Sequence, residues 1–203
     1  MNFAVIIFLG GKAQRLGGCD KASLHVGDQS CLDWVYSALS GDFNEVALST
    51  AAGQSIGLRP DLARIEDMES QASKGGVALA ILACLQWAQS RNLDYVITTP
   101  VDTPFLPADF TKRLTAVFET SEPSAPVAAH CTGGLHGLHA LWPVSCLEAL
   151  RALILDEGVY KIQRLHTALS SHPCEFARGA YDPFMNINTP EDLITAKQVL
   201  PFL

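Results

Sequence analysis

The pattern of apolar and polar residues predicts alternating strands and helices in the first half of the chain. Three stretches are largely apolar without alternation: FAVIIFL at 3–9, EVALST at 45–50 and YVITTP at 95–100. Such runs are typical of strands buried on both faces of a parallel sheet. Helix-period segments follow them, at 31–39, 75–89 and 107–118. Because Pro is favoured in a first helical turn, the third helix is expected to start at Pro107. The alternation predicts a three-layer, doubly wound α/β domain.

The second half of the chain is less regular. The pattern predicts strands at 124–131, 138–143 and 174–179 and helices at 144–155 and 159–169. The first two of these strands are expected to form a small antiparallel hairpin across TGGLHG. Near the C-terminus, Thr189 is a good N-cap, Pro190 suits the first turn, and acidic residues follow. With no internal repeat, linker or low-complexity tract, the chain is expected to form a single domain over 1–203.

Composition narrows the classes of partner. The 203 residues are 48% hydrophobic and 17% charged, as in a compact globular protein. A net charge of −7 argues against nucleic acid and anionic membranes as partners. The apolar run at 3–9 is too short to span a bilayer and lacks the features of a signal peptide. The six cysteines are scattered without a C-x-x-C pair, which favours buried thiols in a reducing compartment, so a cytoplasmic location is expected.

The loop after the first strand, GGKAQRLGGCDK at 10–21, is rich in glycine and basic residues. It fails the dinucleotide fingerprint G-x-G-x-x-G because Lys12 stands two residues after the first glycine. It also fails the P-loop pattern, which requires glycine where Arg15 and Leu16 stand. Neither common phosphate-binding motif therefore describes it.

The residue types of this loop still suit an anionic ligand. Gly10 and Gly11 allow backbone amides to approach a phosphate without interference from a Cβ atom. Arg15 and Lys21 provide a planar guanidinium and a compact ammonium, a pair suited to a polyphosphate. The alternative is a surface loop with solvated cations, but ligands bind at strand ends of α/β sheets, which favours the first interpretation.

Polar residues follow two further predicted strands. Asp102 comes two residues after the strand at 95–100, where a carboxylate is well placed for Mg²⁺, although an Asp before Pro104 also suits an ordinary turn. Asn186 and Asn188 have a spacing of two, so on an extended segment they face the same way and could orient a metal's waters or a phosphate. Helix capping explains Thr189 but leaves Asn186 without a role.

These segments together resemble a known family. The stretch GGKAQRLGGCDKASL is similar to the signature of the nucleotide-diphospho-sugar-transferase-like nucleotidyltransferases, and most of all to the MobA-like molybdenum cofactor guanylyltransferases, whose loop reads Leu-Ala-Gly-Gly-x-x-x-Arg-Met-Gly-x-Asp-Lys. The similarity continues at three more places: TTPVDTPFLP at 98–107, MNINTPEDL at 185–193, and IEDMES at 65–70 before SKGGVALA at 73–80. The resemblance implies the Rossmann-like nucleotidyltransferase fold with a mostly parallel sheet.

The resemblance also implies an activity: Mg²⁺-dependent transfer of GMP from GTP to molybdopterin cofactor, with release of pyrophosphate. Residues 1–105 would form the nucleotide-binding half and 106–203 the acceptor-binding half. The implied catalytic residues are Arg15, Lys21 and Asp102, with Asp102 also the metal ligand. The implied nucleotide-binding residues are Leu9, Gly10, Gly11, Lys21, Ser49, Asp67, Gly76 and Asp102. The implied acceptor-binding residues are His136, Asn186 and Asn188. Transient contact with molybdoenzymes or their chaperones is also expected, and binding of nucleic acid or membrane is not.

Departures from the family pattern keep alternatives open. The second loop, KGGVAL, lacks the proline and final glycine of the family's Gly-Pro-Leu-Ala-Gly, and the family's His-Pro is His136–Gly137 here. CTP in place of GTP, another phosphorylated acceptor, or a non-catalytic nucleotide-binding protein are the alternatives. His136 and His139 form H-x-x-H, but a spacing of three on a strand predicts opposite faces and no metal pair.

Overall fold

The computed structural model describes residues 1–10, 12–13, 19–39, 43–51, 57–66 and 76–202. The strands are β1 Phe3–Phe8, β2 Lys12–Ala13, β3 Cys19–Asp20, β4 His25–Val26, β5 Gln29–Ser30, β6 Glu45–Thr50, β7 Ala63–Glu66, β8 Tyr95–Pro100, β9 Val127–Cys131, β10 Gly134–Pro143 and β11 His172–Glu175. The helices are α1 Cys31–Ala38, α2 Gly76–Ser90, α3 Phe110–Glu119, α4 Leu147–Arg151, α5 Ile162–Ala168 and α6 Pro190–Val199.

Seven strands form one sheet in the order β11-β9-β10-β8-β1-β6-β7. β1 pairs in parallel with β6 and β8, and β6 pairs in parallel with β7. Within this sheet only β10 runs antiparallel to its neighbours, β8 and β9. The predicted mostly parallel sheet is confirmed. The predicted hairpin is also present as β9 and β10, and it extends the main sheet rather than standing apart from it.

Helices cover both faces of the sheet, which confirms the three layers. All six residues of β1 are buried. Val5 and Ile7 pack in a core cluster that includes residues of α1, α3 and α6. Ala4 and Ile6 belong to the cluster on the other face, with residues of α2, α4 and α5. The uninterrupted apolar pattern of this strand therefore reflects burial on two sides.

Several predicted helix boundaries were wrong. α3 starts at Phe110, so Pro107 precedes the helix, and its carbonyl accepts a hydrogen bond from the Phe110 amide. The helix predicted at 144–155 is a 3-10 turn, then α4, then a π-helical turn. Val159 donates to the carbonyl of Leu153 and closes that turn, so α5 begins only at Ile162.

The strands in the second half also differ from prediction at their ends. β11 spans 172–175 rather than 174–179 because its bounds follow its parallel pairing with β9. β9 begins three residues later than predicted, at Val127, and β10 begins four residues earlier, at Gly134. Pairing between distant strands carries no local sequence signal, so these ends were not predictable.

The burial of the described cysteines and the length of the described helices can be compared with what the composition predicted. Cys131, Cys146 and Cys174 are free and buried, as expected for thiols in apolar surroundings. Burial raises the pKa of the Cys146 thiol to about 12. No helix within the described ranges is long and apolar enough to cross a membrane.

The cap of α6 gives a first testable prediction. Thr189 Oγ1 accepts a hydrogen bond from the Asp192 amide at 3.1 Å, and Asp192 Oδ2 accepts from the Thr189 amide at 2.9 Å, which is a reciprocal capping box. Thr189→Ala is expected to lower the free energy of unfolding by about 1 kcal/mol in a urea titration. Thr195→Ala is the control, because that hydroxyl bonds only within the helix, to the Glu191 carbonyl. Equal losses in the two variants would contradict the cap.

The same cap has a pH dependence with a defined sign. The Asn188 amide donates to the Asp192 carboxylate, and this bond is the main reason that the pKa of Asp192 is lowered. The carboxylate therefore stays charged to lower pH in the folded chain than in the unfolded chain. Its contribution to stability is present above the ordinary carboxyl pKa and is lost on acidification through the lowered pKa.

Candidate active site

A cleft of about 410 Å³ lies at the carboxyl edge of the central strands. Its described lining comes from the ends of β1, β6 and β8, the start of α2, β10 and the segments at 10, 21 and 186: Phe8, Gly10, Lys21, Ser49, Ala51, Gly76, Val77, Ala80, Pro100, Val101, Asp102, Leu138 and Asn186. Ligands bind at this edge of open α/β sheets because the strand-to-helix loops meet there. Six residues predicted from sequence for the site line this cleft: Gly10, Lys21, Ser49, Gly76, Asp102 and Asn186.

An ion pair lies in the wall of the cleft. Lys21 Nζ is 2.6 Å from Asp102 Oδ2, and the two side chains are 17% and 18% exposed. The same ammonium donates to Oδ1 of Asn188. Residues from three distant parts of the sequence therefore meet around one cation, as expected if the three motifs belong to one site.

Local backbone structure aims Lys21 into the cleft. Asp20 caps the 3-10 turn Lys21–Ser23, since its Oδ1 accepts from the Ala22 amide at 3.1 Å. Gly10 lies opposite with φ of +66°, a left-handed backbone that favours glycine. A Cβ atom at Gly10 would lie 3.9 Å from Cδ of Lys21. That distance is an ordinary van der Waals contact, so the glycine serves the left-handed turn at the strand end rather than making room for the lysine.

Two backbone hydrogen bonds hold the segment that carries Asp102. The Val101 amide donates to the Phe8 carbonyl at 2.9 Å, and the Ile187 amide donates to the Asp102 carbonyl at 2.8 Å. Ile187 is fully buried between the two asparagines. Asn186 lines the cleft and Asn188 contacts Lys21, so both lie at the site as their spacing predicted.

The remaining predicted nucleotide residues differ in how far the structure describes them. Leu9 is completely buried in the core, and its amide donates to the Ser49 carbonyl at 3.1 Å, so it contributes backbone position rather than a side chain. Arg15, Gly11 and Asp67 lie outside the described residues.

His136 lies in the second half of the fold and does not belong to the described lining of the cleft. Its ring packs on Phe184 with centroids 4.6 Å apart. Its Nε2 is buried and has no hydrogen-bond partner among the described residues. Burial lowers the pKa of His136, partly opposed by the negative charge of Asp182. The nitrogen is therefore enclosed by the fold rather than exposed to the cleft.

The expectation that His136 and His139 face opposite ways was wrong. Their ring centroids are 5.9 Å apart, on the same side of β10. The pairing of β10 with β9 shifts register between His136 and Ala140, which is a β-bulge. Gly137 faces Ile162, and Leu138 packs in the same core cluster, so two successive residues share a face. A glycine inside a strand was the signal that could have predicted the bulge.

The donor set suits one kind of cation. Mg²⁺ is held in proteins by one or two carboxylates together with substrate phosphates and water. Asp102 supplies a carboxylate, the Oδ1 of Asn188 contacts the same ammonium as this carboxylate, and Asn186 lines the cleft. Across the described ranges no group of three histidine, cysteine, aspartate or glutamate side chains comes together, as a structural zinc site would require. The residues therefore fit Mg²⁺ shared with a phosphorylated ligand.

The fold and the cleft together define an α/β nucleotidyltransferase. Residues 5–172 match the family model described as MobA-like NTP transferase domain. The chain belongs to this family.

Relatives and solved structures agree with this assignment. The chain is 35% identical over 196 residues to a protein named molybdenum cofactor guanylyltransferase from Acidiphilium cryptum, covering 97% of this chain and 94% of the relative. A protein of the same name from Cereibacter sphaeroides is 34% identical over 98% of both chains. In fold, the chain resembles the molybdopterin-guanine dinucleotide biosynthesis protein A of Archaeoglobus fulgidus, with a TM-score of 0.72, 20% identity and coverage of 98% and 100%.

Proposed function

We propose that the protein transfers GMP from GTP to the phosphate of molybdopterin cofactor and releases pyrophosphate, with Mg²⁺ as the metal. The observation that carries the proposal is the meeting of Lys21, Asp102 and Asn188 in the wall of a cleft at the carboxyl edge of the sheet. The names of the relatives supply the guanylyl group and the acceptor.

The chemistry requires positioning and neutralisation of charge rather than a protein nucleophile. An oxygen of the acceptor phosphate attacks the α-phosphorus of GTP in line, and the bond from that phosphorus to the bridging oxygen of pyrophosphate breaks. Lys21 and Arg15 would neutralise the charge of the triphosphate and the leaving group. Mg²⁺, when bound, polarises the phosphate oxygens and offsets their charge. Asp102 would hold it, with Asn186 and Asn188 orienting its waters.

The first half of the chain would bind the nucleotide. Gly10 and Ser49 line the cleft where the triphosphate and nucleoside would lie. Gly76 lines the same cleft at the start of α2, where oriented amides favour an anion. Gly11 and Asp67 complete the proposed nucleotide set on the strength of the motifs alone.

The second half of the chain would bind the acceptor. Asn186 and Asn188 belong to this half, and they lie at the cleft, where Asn186 is part of the lining and Asn188 accepts from Lys21. His136 is proposed for the acceptor on the strength of its position in the motif, and its ring packs on Phe184 with Nε2 buried. We propose residues 106–203 as this half and residues 1–203 as one domain.

The test is pyrophosphate release by the purified protein with Mg²⁺, molybdopterin cofactor and GTP or CTP in parallel. Release with GTP that depends on both acceptor and metal is expected, together with much slower release with CTP. A clear preference for CTP would contradict the proposal and indicate a cytidylyltransferase. The altered second loop, KGGVAL, is the reason for testing CTP. Tight binding of GTP without pyrophosphate release would favour a non-catalytic binder.

The net charge of −7 supports small anionic substrates held by local cations rather than nucleic acid or anionic membrane as partners. The buried thiols support a cytoplasmic site of action. Transient contact with molybdoenzymes or their chaperones stays a prediction.

A further inference from the structure

A buried hydrogen-bonded pair lies directly behind Asp102. His139 Nε2 is 2.8 Å from Thr103 Oγ1, and the two residues are 3% and 0% exposed. Thr103 is the residue after Asp102, whereas His139 belongs to β10. The H-x-x-H spacing did not predict this contact, which depends on how β10 pairs with β8.

The hydroxyl of Thr103 is shared between two partners. Its Oγ1 is also 3.0 Å from the carbonyl oxygen of Pro100. A hydroxyl has one proton, so donation to this carbonyl leaves Oγ1 to accept from the Nε2–H of His139. Burial lowers the pKa of His139 to about 3, so the ring stays neutral at physiological pH. Each of the three polar groups then has a partner.

The hydrogen bond from Thr103 to the Pro100 carbonyl closes the turn that carries the Asp102 carboxylate. Pro100 ends β8 and Thr103 follows Asp102, so the link between them spans the metal-ligand position. The histidine ring packs against Phe184 with centroids 4.6 Å apart and against Phe110 at 6.0 Å, edge to face. The anchor is therefore held by close packing.

We infer that His139 is a positioning residue: through Thr103 it holds the Pro100–Thr103 turn so that the Asp102 carboxylate is aimed at the metal and triphosphate. The inference rests on the proposed function. Groups that hold a metal-binding side chain in its productive orientation contribute strongly to metal affinity, because the side chain then spends less time pointing elsewhere. A histidine that serves only the core would affect folding and leave metal binding unchanged.

The experiment measures Mn²⁺ affinity by electron paramagnetic resonance in the presence of GTP, together with kcat and KM for GTP. His139→Phe keeps an aromatic ring and removes the nitrogen donor, and Thr103→Val removes only the hydroxyl. Each is expected to weaken Mn²⁺ binding between about 10- and 100-fold. The weaker metal binding should lower kcat and raise the metal concentration that activity requires, whereas KM for GTP should change less.

Two further variants separate positioning from stability. The double variant His139→Phe/Thr103→Val should bind Mn²⁺ no more weakly than the weaker of the two single variants. The reason is that each substitution removes the same hydrogen bond, the one between His139 and Thr103. His139→Gln, which keeps a donor near the Nε2 position, should restore part of the affinity. Tyr95→Phe is the matched control, since it removes a buried hydroxyl bonded to Thr115 at the far end of β8 and should leave Mn²⁺ affinity unchanged.

The outcomes distinguish this inference from the proposed function. Unaltered protein that neither binds Mn²⁺ with GTP nor releases pyrophosphate would overturn both. If the unaltered protein binds Mn²⁺ with GTP and releases pyrophosphate, and Thr103→Val binds Mn²⁺ with equal affinity, only the role of His139 is overturned. This result would hold even if His139→Phe fails to fold. Fully additive losses in the double variant would also overturn it.

Discussion

Asp102→Asn is expected to abolish nucleotidyl transfer while the fold stays intact. The substitution keeps the volume and the backbone bonds to Ile187 but removes the carboxylate that we propose as the metal ligand. Loss of this charge should lower kcat/KM on the order of 10³-fold, because it removes metal-assisted neutralisation of the triphosphate. The measurement is pyrophosphate release over a series of Mg²⁺ concentrations, with circular dichroism as the check on folding.

Asp94→Asn provides the matched control for that experiment. Asp94 precedes the same strand, β8, at its opposite end, where its carboxylate accepts from the Asn2 amide at 2.7 Å. Its loss should leave transfer unchanged. Near-normal turnover of Asp102→Asn at all Mg²⁺ concentrations would contradict the metal-ligand assignment.

Lys21→Met is expected to lower kcat by about 10²- to 10³-fold, the cost of removing one preorganised positive group from a charged transition state. Methionine keeps most of the apolar stem that passes Gly10 but cannot neutralise phosphate. Because Asp102 is 18% exposed, its carboxylate stays solvated when the ammonium is removed, and the variant should fold. Rapid-quench kinetics with GTP and acceptor measure the effect.

Lys112→Met tests whether removing any positive charge lowers kcat. Lys112 is an exposed residue of α3, and its loss changes the net charge equally. Its kcat should match that of the unaltered protein. If Lys21→Met and Lys112→Met had the same kcat, Lys21 would have no part in the chemistry.

The ion pair also suggests an order of events. The ammonium of Lys21 lies 2.6 Å from Oδ2 of Asp102, the proposed metal ligand. A triphosphate offers Lys21 a stronger set of acceptors and frees that oxygen. In the proposed mechanism, metal and nucleotide are therefore expected to bind together rather than metal alone.

Much of this arrangement was predictable from local sequence. The strands at 45–50 and 95–100 lie where the apolar runs predicted, because burial on both faces of a parallel sheet needs an unbroken run. The cap at Thr189 was equally visible, since capping depends on residues within one turn. Chemistry at strand ends followed from the same reasoning, as carboxyl ends of parallel strands meet at one edge.

Contacts between distant segments were not predictable in the same way. That Lys21 pairs with Asp102, 81 residues away, follows from sheet order, and no spacing along the chain encodes it. The extent of β11 also depends on its pairing with β9, which is far away in sequence.

By itself the sequence determined the α/β class, the motifs at the strand ends and the family to which the chain belongs. Only the tertiary structure decided which face His139 occupies. The reason is physical: one extra residue in β10 puts His136 and His139 on the same face, and the pairing of β10 with β8 places the buried ring of His139 against the turn that carries Asp102. Local patterns specify elements, whereas the geometry of a site depends on how strands pair.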